Sequence, residues 1–283
     1  MSTNSITAEI RPSKVLNHLF LAAFSLVMIY PVIWWIGASL KKTSELSSPG
    51  IWPATPMWEN YVNGWNFSSE YTFAHFFGNT LLMEVGNVVG GVITAAIVAF
   101  GFGRLNFPLK GMWFSILMLT LMLPGQVTVV PQYILFNNFG FVDSYVPLVL
   151  PHFFGGGAFF IFLLVQFIRG IPRDLDEAAK IDGASIYGIF GRIILPLIKP
   201  ALVTVALFTF LWSWDDFFAQ VLYLSSVENF TVGLALRMFI DQFEVQWGQL
   251  LAMSLLSVLP SAIIFFLAQK HFVEGIATTG LKG

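Results

Sequence analysis

Cysteine is absent from the 283 residues, which excludes a disulfide framework, a thiolate metal site and a cysteine nucleophile. Charge is scarce. Asp, Glu, Lys and Arg make up 11% of the chain, against about 25% in a soluble domain. The charges nearly cancel, at net −2, so the basic footprint of a nucleic-acid partner is missing. His18, His75, His152 and His271 stand far apart, without the spacing of a metal site, and no metal is expected. No G-x-x-x-x-G-K-[ST] phosphate loop occurs, so any ATP chemistry has to sit on another chain.

What is present is apolar. Hydrophobic residues make up 56% of the chain. Residues 15–40, 85–103, 111–142, 144–168 and 245–269 contain no Asp, Glu, Lys or Arg, and 200–224 is interrupted only by Asp215 and Asp216. Each stretch holds about 20 helical residues, enough to cross roughly 30 Å of hydrocarbon. The expectation is an all-α integral membrane protein with six transmembrane helices near 16–37, 80–103, 112–135, 146–168, 200–223 and 251–269. Residues 16–269 then form one six-span transmembrane domain between an N-tail (1–15) and a C-tail (270–283).

Basic residues orient the spans. Arg11, Lys14, Arg104, Lys110, Arg169, Arg173, Lys180, Arg192, Lys199, Lys270 and Lys282 fall on one side, and only Lys41, Lys42 and Arg237 on the other. Eleven against three predicts both termini and the 169–199 loop in the cytoplasm, with outer loops at 38–78 and 224–250. Trp52, Trp58 and Trp65 in the first outer loop suit seating at headgroup depth, and the length of both loops suggests an extracytoplasmic partner. Glycines such as Gly86, Gly90 and Gly91 suit close helix packing in lipid.

The loop 169–199 holds the densest charge, in D-L-D-E-A-A-K-I-D-G-A-S at 174–185. Asp174 with Glu177 reads as a capping box, and Asp176 and Glu177 complement the positive first turn. Asp176 and Lys180 are placed to pair at i,i+4. Leu175, Ala178, Ala179 and Asp182 share a small, flat face. Gly183 ends this helix, Ser185 caps a second at about 186–192, and Pro196 leads into the fifth span. The reading is a self-capped projection whose mixed charge favours a protein partner over the bilayer surface.

These residues also carry a resemblance. E-A-A-K-I-D-G-A at 177–184, then Phe190 and I-I-L-P ending at Pro196, resembles the EAA loop of ABC importer permeases, in the expected place between the fourth and fifth spans. The tail Q-K-H-F-V-E-G-I-A-T-T-G-L-K-G (269–283) is similar to that of maltose-type carbohydrate permeases. So are P-x-x-E-N-Y at 56–61, R-L-N-F-P at 104–108, D-S-Y at 143–145 and W-S-W-D-D-F at 212–217.

The resemblance implies a type I ABC importer permease in a prokaryotic inner or plasma membrane, with no catalysis of its own and a sugar or oligosaccharide as the expected cargo. Its implied partners are membrane lipid, a second homologous permease, two cytoplasmic ABC ATPases that hold ATP and Mg, and an extracytoplasmic solute-binding protein. It makes Glu177, Ala178, Ala179, Asp182, Gly183 and Ala184 the ATPase-coupling residues. For the pathway, Asp215 or Asp216 is the candidate cargo contact, since two acids in a span cost about 2.5–3.5 kcal/mol each. Trp212 and Trp214 could stack on sugar rings, or simply pack. Two rival readings are a stand-alone proton-coupled carrier using Asp215 or Asp216 and a membrane enzyme. The latter lacks any cluster of acids, histidines or metal ligands beyond those two aspartates.

Overall fold

The structure, a computed structural model, describes residues 12–155, 157–241 and 245–280. Among them the regular structure is helical, apart from one antiparallel bridge between Ile240 and Val245. The chain divides into two compact units. One runs to Trp65 and includes Phe239–Leu256, and the other comprises Asn66–Met238 and the chain from Ser257.

The first unit contains α1 (Pro12–Ser39), α2 (Glu59–Trp65) and the beginning of the last helix. The side chains of α1 from Leu16 to Tyr30 are exposed, as suits a helix facing lipid or another chain. The turn after α1 is stapled by the E-N-Y motif. Asn60 Nδ2 donates to the carbonyls of Ser39 (2.9 Å) and Lys41 (3.1 Å), and the Tyr61 and Ser39 hydroxyls lie 2.7 Å apart.

The second unit is organised around α3 (Phe73–Arg104). It continues through α4 (Lys110–Met122), α5 (Gly125–Asn138), α6 (Val146–Phe153), α7 (Ala158–Gly170), α8 (Asp174–Ile181), α9 (Ile186–Ile189) and α10 (Leu195–Leu197), with a π turn at Phe190–Ile194 before α10. Then follow α11 (Lys199–Trp214), α12 (Phe217–Tyr223) and α13 (Val232–Arg237), while α14 (Trp247–Gly280) runs from the first unit into the second. Helix α3 packs on α6, α7 and α11. Small residues permit this. A Cβ at Gly90 would lie 2.7 Å from the Phe153 ring, and one at Gly103 2.5 Å from Ile168. Ala95, Ala99, Leu164, Val165, Ile168, Ile194, Ala201 and Val205 form a fully enclosed core. Leu82, Val85, Ile93 and Ile97 of α3 face outward.

Among the described residues, four helical stretches are long and apolar enough to cross a membrane, and six spans result if each of two bent pairs is one span. The bends correct the sequence reading. The stretch 112–135 is two helices, α4 and α5, inclined at 99° across Leu123–Pro124, where proline and Gly125 interrupt the apolar run. The second bent pair is the run Ile186–Leu197 with α11, inclined at 75°; separately, the stretch 200–223 is interrupted, since α11 stops at Trp214 and α12 starts at Phe217. Helix α3 begins at Phe73, within the outer loop expected to reach 78, and α14 continues to Gly280 through most of the expected C-tail. Residues 1–11 of the N-tail lie outside the described residues.

Candidate functional site

The polar projection forms as two capped helices with two local corrections. Arg173, not Asp174, takes the N-cap position. Its carbonyl accepts from Asp176 N (2.9 Å) and Glu177 N (3.1 Å), so the helix starts one residue earlier and no side-chain cap forms. The three carboxylates therefore act through the helix dipole. Asp176 turns inward to Arg104 instead of pairing with Lys180, because an inward carboxylate close to a buried guanidinium gains more than an exposed i,i+4 pair. At the other end Gly183 adopts φ +80°. Ala184 N donates to Ala179 O (2.8 Å) and Gly183 N to Lys180 O (3.0 Å), a Schellman closure. Ser185 then accepts from Gly188 N at 3.2 Å and starts α9.

The six coupling residues divide between two surfaces. Ala179 and Ala184 pack against the core, while Glu177, Ala178, Asp182 and Gly183 are exposed. Asp182 at the helix end is fully in solvent reach, which screens the unfavourable dipole contact. Beside these residues Ile181 and Tyr187 are each 87% exposed, two large apolar groups that sequence spacing did not single out.

The second site surrounds the interruption of the fifth span. Asp215 is the C-cap of α11 and is exposed. Asp216 is the N-cap of α12 and accepts from Ala219 N at 3.0 Å. The two acids thus occupy a break rather than a continuous helix, where the exposed amides at the start of α12 stabilise a carboxylate. Asp216 lines a cavity of about 170 Å³ together with Asn87, Gln132, His152, Ser213 and Gln220. It also lines an adjoining one of about 470 Å³ walled by the first turns of α5. Non-helical backbone at membrane depth is tolerated where it lines such a space. Asn87 is 1% exposed and its Oδ1 has no hydrogen-bond partner.

Trp212 and Trp214 do not line these cavities. Trp212 stacks on Phe160, with ring centroids 5.1 Å apart, and Trp214 on Phe210 at 5.2 Å. The aromatic wall is Tyr223, stacked on Tyr133 at 5.9 Å. Glu84, whose position in sequence suggests an interfacial residue, is 1% exposed and accepts a hydrogen bond from the Ser213 hydroxyl. An acid inside an apolar run was the available signal. The serine that donates to it lies on α11, and that pairing was not legible.

These features define a multi-pass helical membrane protein with a polar cavity at a broken span and a capped projection outside the apolar region. Residues 87–278 match the family of binding-protein-dependent transport system inner membrane components, and the chain belongs to that family. It is a permease subunit of an ABC importer. It is 31% identical to the arabinooligosaccharides transport system permease protein AraQ of Bacillus subtilis, over 95% of this chain and 96% of that one. It is 29% identical to the galactooligosaccharides transport system permease protein GanQ of the same organism, over 94% and 95%. Its fold is similar to that of a bacterial ABC transporter involved in the import of the acidic polysaccharide alginate, with TM-score 0.80 and 20% identity over 95% of this chain and all of that one. The family leaves a stand-alone proton-coupled carrier at Asp215 or Asp216 without support.

Proposed function

We propose that this chain forms half of the pathway of a saccharide importer, beside a second homologous permease. Two cytoplasmic ATPases holding ATP and Mg drive it, and an extracytoplasmic binding protein feeds it. The observation that carries the coupling is the projection. Exposed Glu177, Ala178, Ile181, Asp182 and Tyr187 form a mixed apolar and charged surface on a rigid, capped pair of helices. Such a surface suits a protein cleft better than water, and the excess of basic residues around it supports a cytoplasmic side for it and for both termini. Residues 38–72 and 224–246 are then the outer segments that meet the binding protein.

Saccharide cargo is supported by the oligosaccharide systems of the relatives and by the cavity chemistry. Asn87, Gln132, His152 and Asp216 offer acceptors and donors suited to hydroxyl groups, with Tyr223 as a ring wall. Asp216 is the proposed cargo contact of the pair, and Asp215, Trp212 and Trp214 support the break around it.

The test is ATP hydrolysis by the reconstituted complex with its binding protein and a panel of neutral mono- and oligosaccharides. Stimulation by at least one saccharide is expected. Stimulation by amino acids, peptides or inorganic anions alone would overturn the cargo assignment and leave the importer intact.

A further inference from the structure

Five side chains and one backbone amide, from segments far apart in sequence, form a largely buried polar ring around the helix break. Helix α11 ends with Ser213, whose hydroxyl donates to Glu84 on α3. The Ser213 carbonyl, left without a helical partner by the break, accepts from Gln220 Nε2 at 3.2 Å. Gln220 sits on α12, across the break, and its Oε1 accepts from the Thr231 hydroxyl at 2.5 Å. Thr231 precedes α13, and the next amide, Val232 N, donates to Thr80 Oγ1 at 2.9 Å. Thr80 lies one turn from Glu84 on the same face of α3, which closes the ring. Thr80, Glu84, Gln220 and Thr231 are each at most 1% exposed. Gly233 lies alongside, where a Cβ would come within 3.2 Å of Gln220 Oε1.

We propose that Gln220 and Thr231 are positioning residues that tie the outer segment 231–237 to the break presenting Asp216, so that the two move as one body during the transport step. Apart from the ring, α12 and α13 are joined by the loop 224–230 and by apolar and ring contacts, Tyr223 with Leu234 in one small core and Arg237 over the Phe217 ring, none of which reaches the end of α11. With the ring, a displacement of the outer segment is carried through Thr231 and Gln220 to the end of α11, while Thr80 and Glu84 anchor both to α3. This assignment rests on the reading that a binding protein engages the outer segments.

The experiment compares Thr231→Val, Thr231→Ser, Gln220→Leu and the Thr231→Val/Gln220→Leu double variant in the reconstituted complex. It measures ATP hydrolysis against the concentration of saccharide-loaded binding protein. Thr231→Val and Gln220→Leu are each expected to lower the maximal stimulated rate at least fivefold, and Thr231→Val, which lies outside the cavity, to leave basal hydrolysis and the half-saturating concentration unchanged. Thr231→Ser, which keeps the hydroxyl, is expected to behave as wild type, and the double variant no worse than either single one. Normal stimulation in Thr231→Val, an equal defect in Thr231→Ser, or losses that multiply in the double variant would overturn the proposal.

Hydrogen exchange on the same complexes separates the ring from the importer reading. Thr231→Val is expected to speed exchange at both 231–237 and 215–220. A change confined to 231–237 would overturn the tie even if no saccharide stimulated the wild type, and that absence of stimulation would itself count only against the cargo assignment.

Discussion

Arg104 Nε lies 3.0 Å from Asp176 Oδ2, with the two side chains 4% and 12% exposed. The same guanidinium donates from Nη2 to the Ile171 carbonyl at 2.8 Å. The last turn of α3 therefore holds both the end of α7 and the first turn of α8. Arg104→Ala strands a buried carboxylate, a loss of about 3–5 kcal/mol. A lower melting temperature and weaker retention of the ATPase by the purified permease are expected. Asp176→Asn, which removes the charge without the side-chain volume, is expected to be milder. Unchanged melting and retention in Arg104→Ala would show that the pair does not anchor the projection.

Gly183 separates backbone strain from contact. Nothing lies within 4 Å of a Cβ built there, yet φ is +80°. Gly183→Ala therefore tests conformation alone, at about 1–2 kcal/mol. Gly183→Asn should be milder, since asparagine tolerates the left-handed region. Fraying of 178–185, read by hydrogen exchange, is expected to increase in the order glycine, asparagine, alanine, and coupled ATP hydrolysis to fall in the same order. A larger residue adds steric blocking of the docking surface, so Gly183→Trp should lose coupling beyond what its fraying accounts for.

The projection was legible because its signals are local. Gly183 ends one helix and Ser185 starts the next within three residues, and each acts on the backbone beside it. The inward turn of Asp176 was not legible, since its partner stands on α3. Breaks in spans are harder still. The apolar run through 200–223 hides the interruption at Asp215–Asp216, because the Ser213 carbonyl freed at the break is satisfied by Gln220 from the next helix. Pro124–Gly125 did carry a local signal for the bend between α4 and α5, outweighed by the length of the apolar stretch. Four to six spans result, six when each bent pair is counted as one, because hydropathy measures how much chain is apolar, not whether it is straight.

Asp216 joins a cap to a cavity wall, and two substitutions separate them. Asp216→Asn keeps an acceptor for Ala219 N, whereas Asp216→Ala removes it at about 0.5–2 kcal/mol. Folding of the complex, read by melting, is expected to be normal for asparagine and reduced for alanine. If the charge contacts cargo, the asparagine variant transports poorly despite normal melting. Wild-type uptake by Asp216→Asn would restrict the carboxylate to its capping role.

Asp143 supplies a pH-dependent handle on the outer segment. It adopts φ +62°, and its carboxylate accepts from Ser225 N and Ser226 N, each at 2.9 Å, and from the Ser226 hydroxyl. Burial alone would push its pKa up, but these hydrogen bonds outweigh it and hold the carboxyl well below the usual carboxylate range. A depressed pKa means stabilisation that is complete above the ordinary value of 3.8 and lost as pH falls below it. Tyr145 donates to Asn229 O at 3.1 Å in the same clamp, and its phenol, pushed up to about 12 first by burial and then by Asp143 and Glu228, stays protonated throughout. Asp143→Asn tolerates the backbone angle and removes only the charge, with an expected loss on the order of 1 kcal/mol. Amide protection at 224–229, compared between wild type and Asp143→Asn, should differ by a constant amount from about pH 8 to about pH 5 and converge only below about pH 4. Convergence already near neutral pH would mean that the carboxylate is not held in its charged form by these donors.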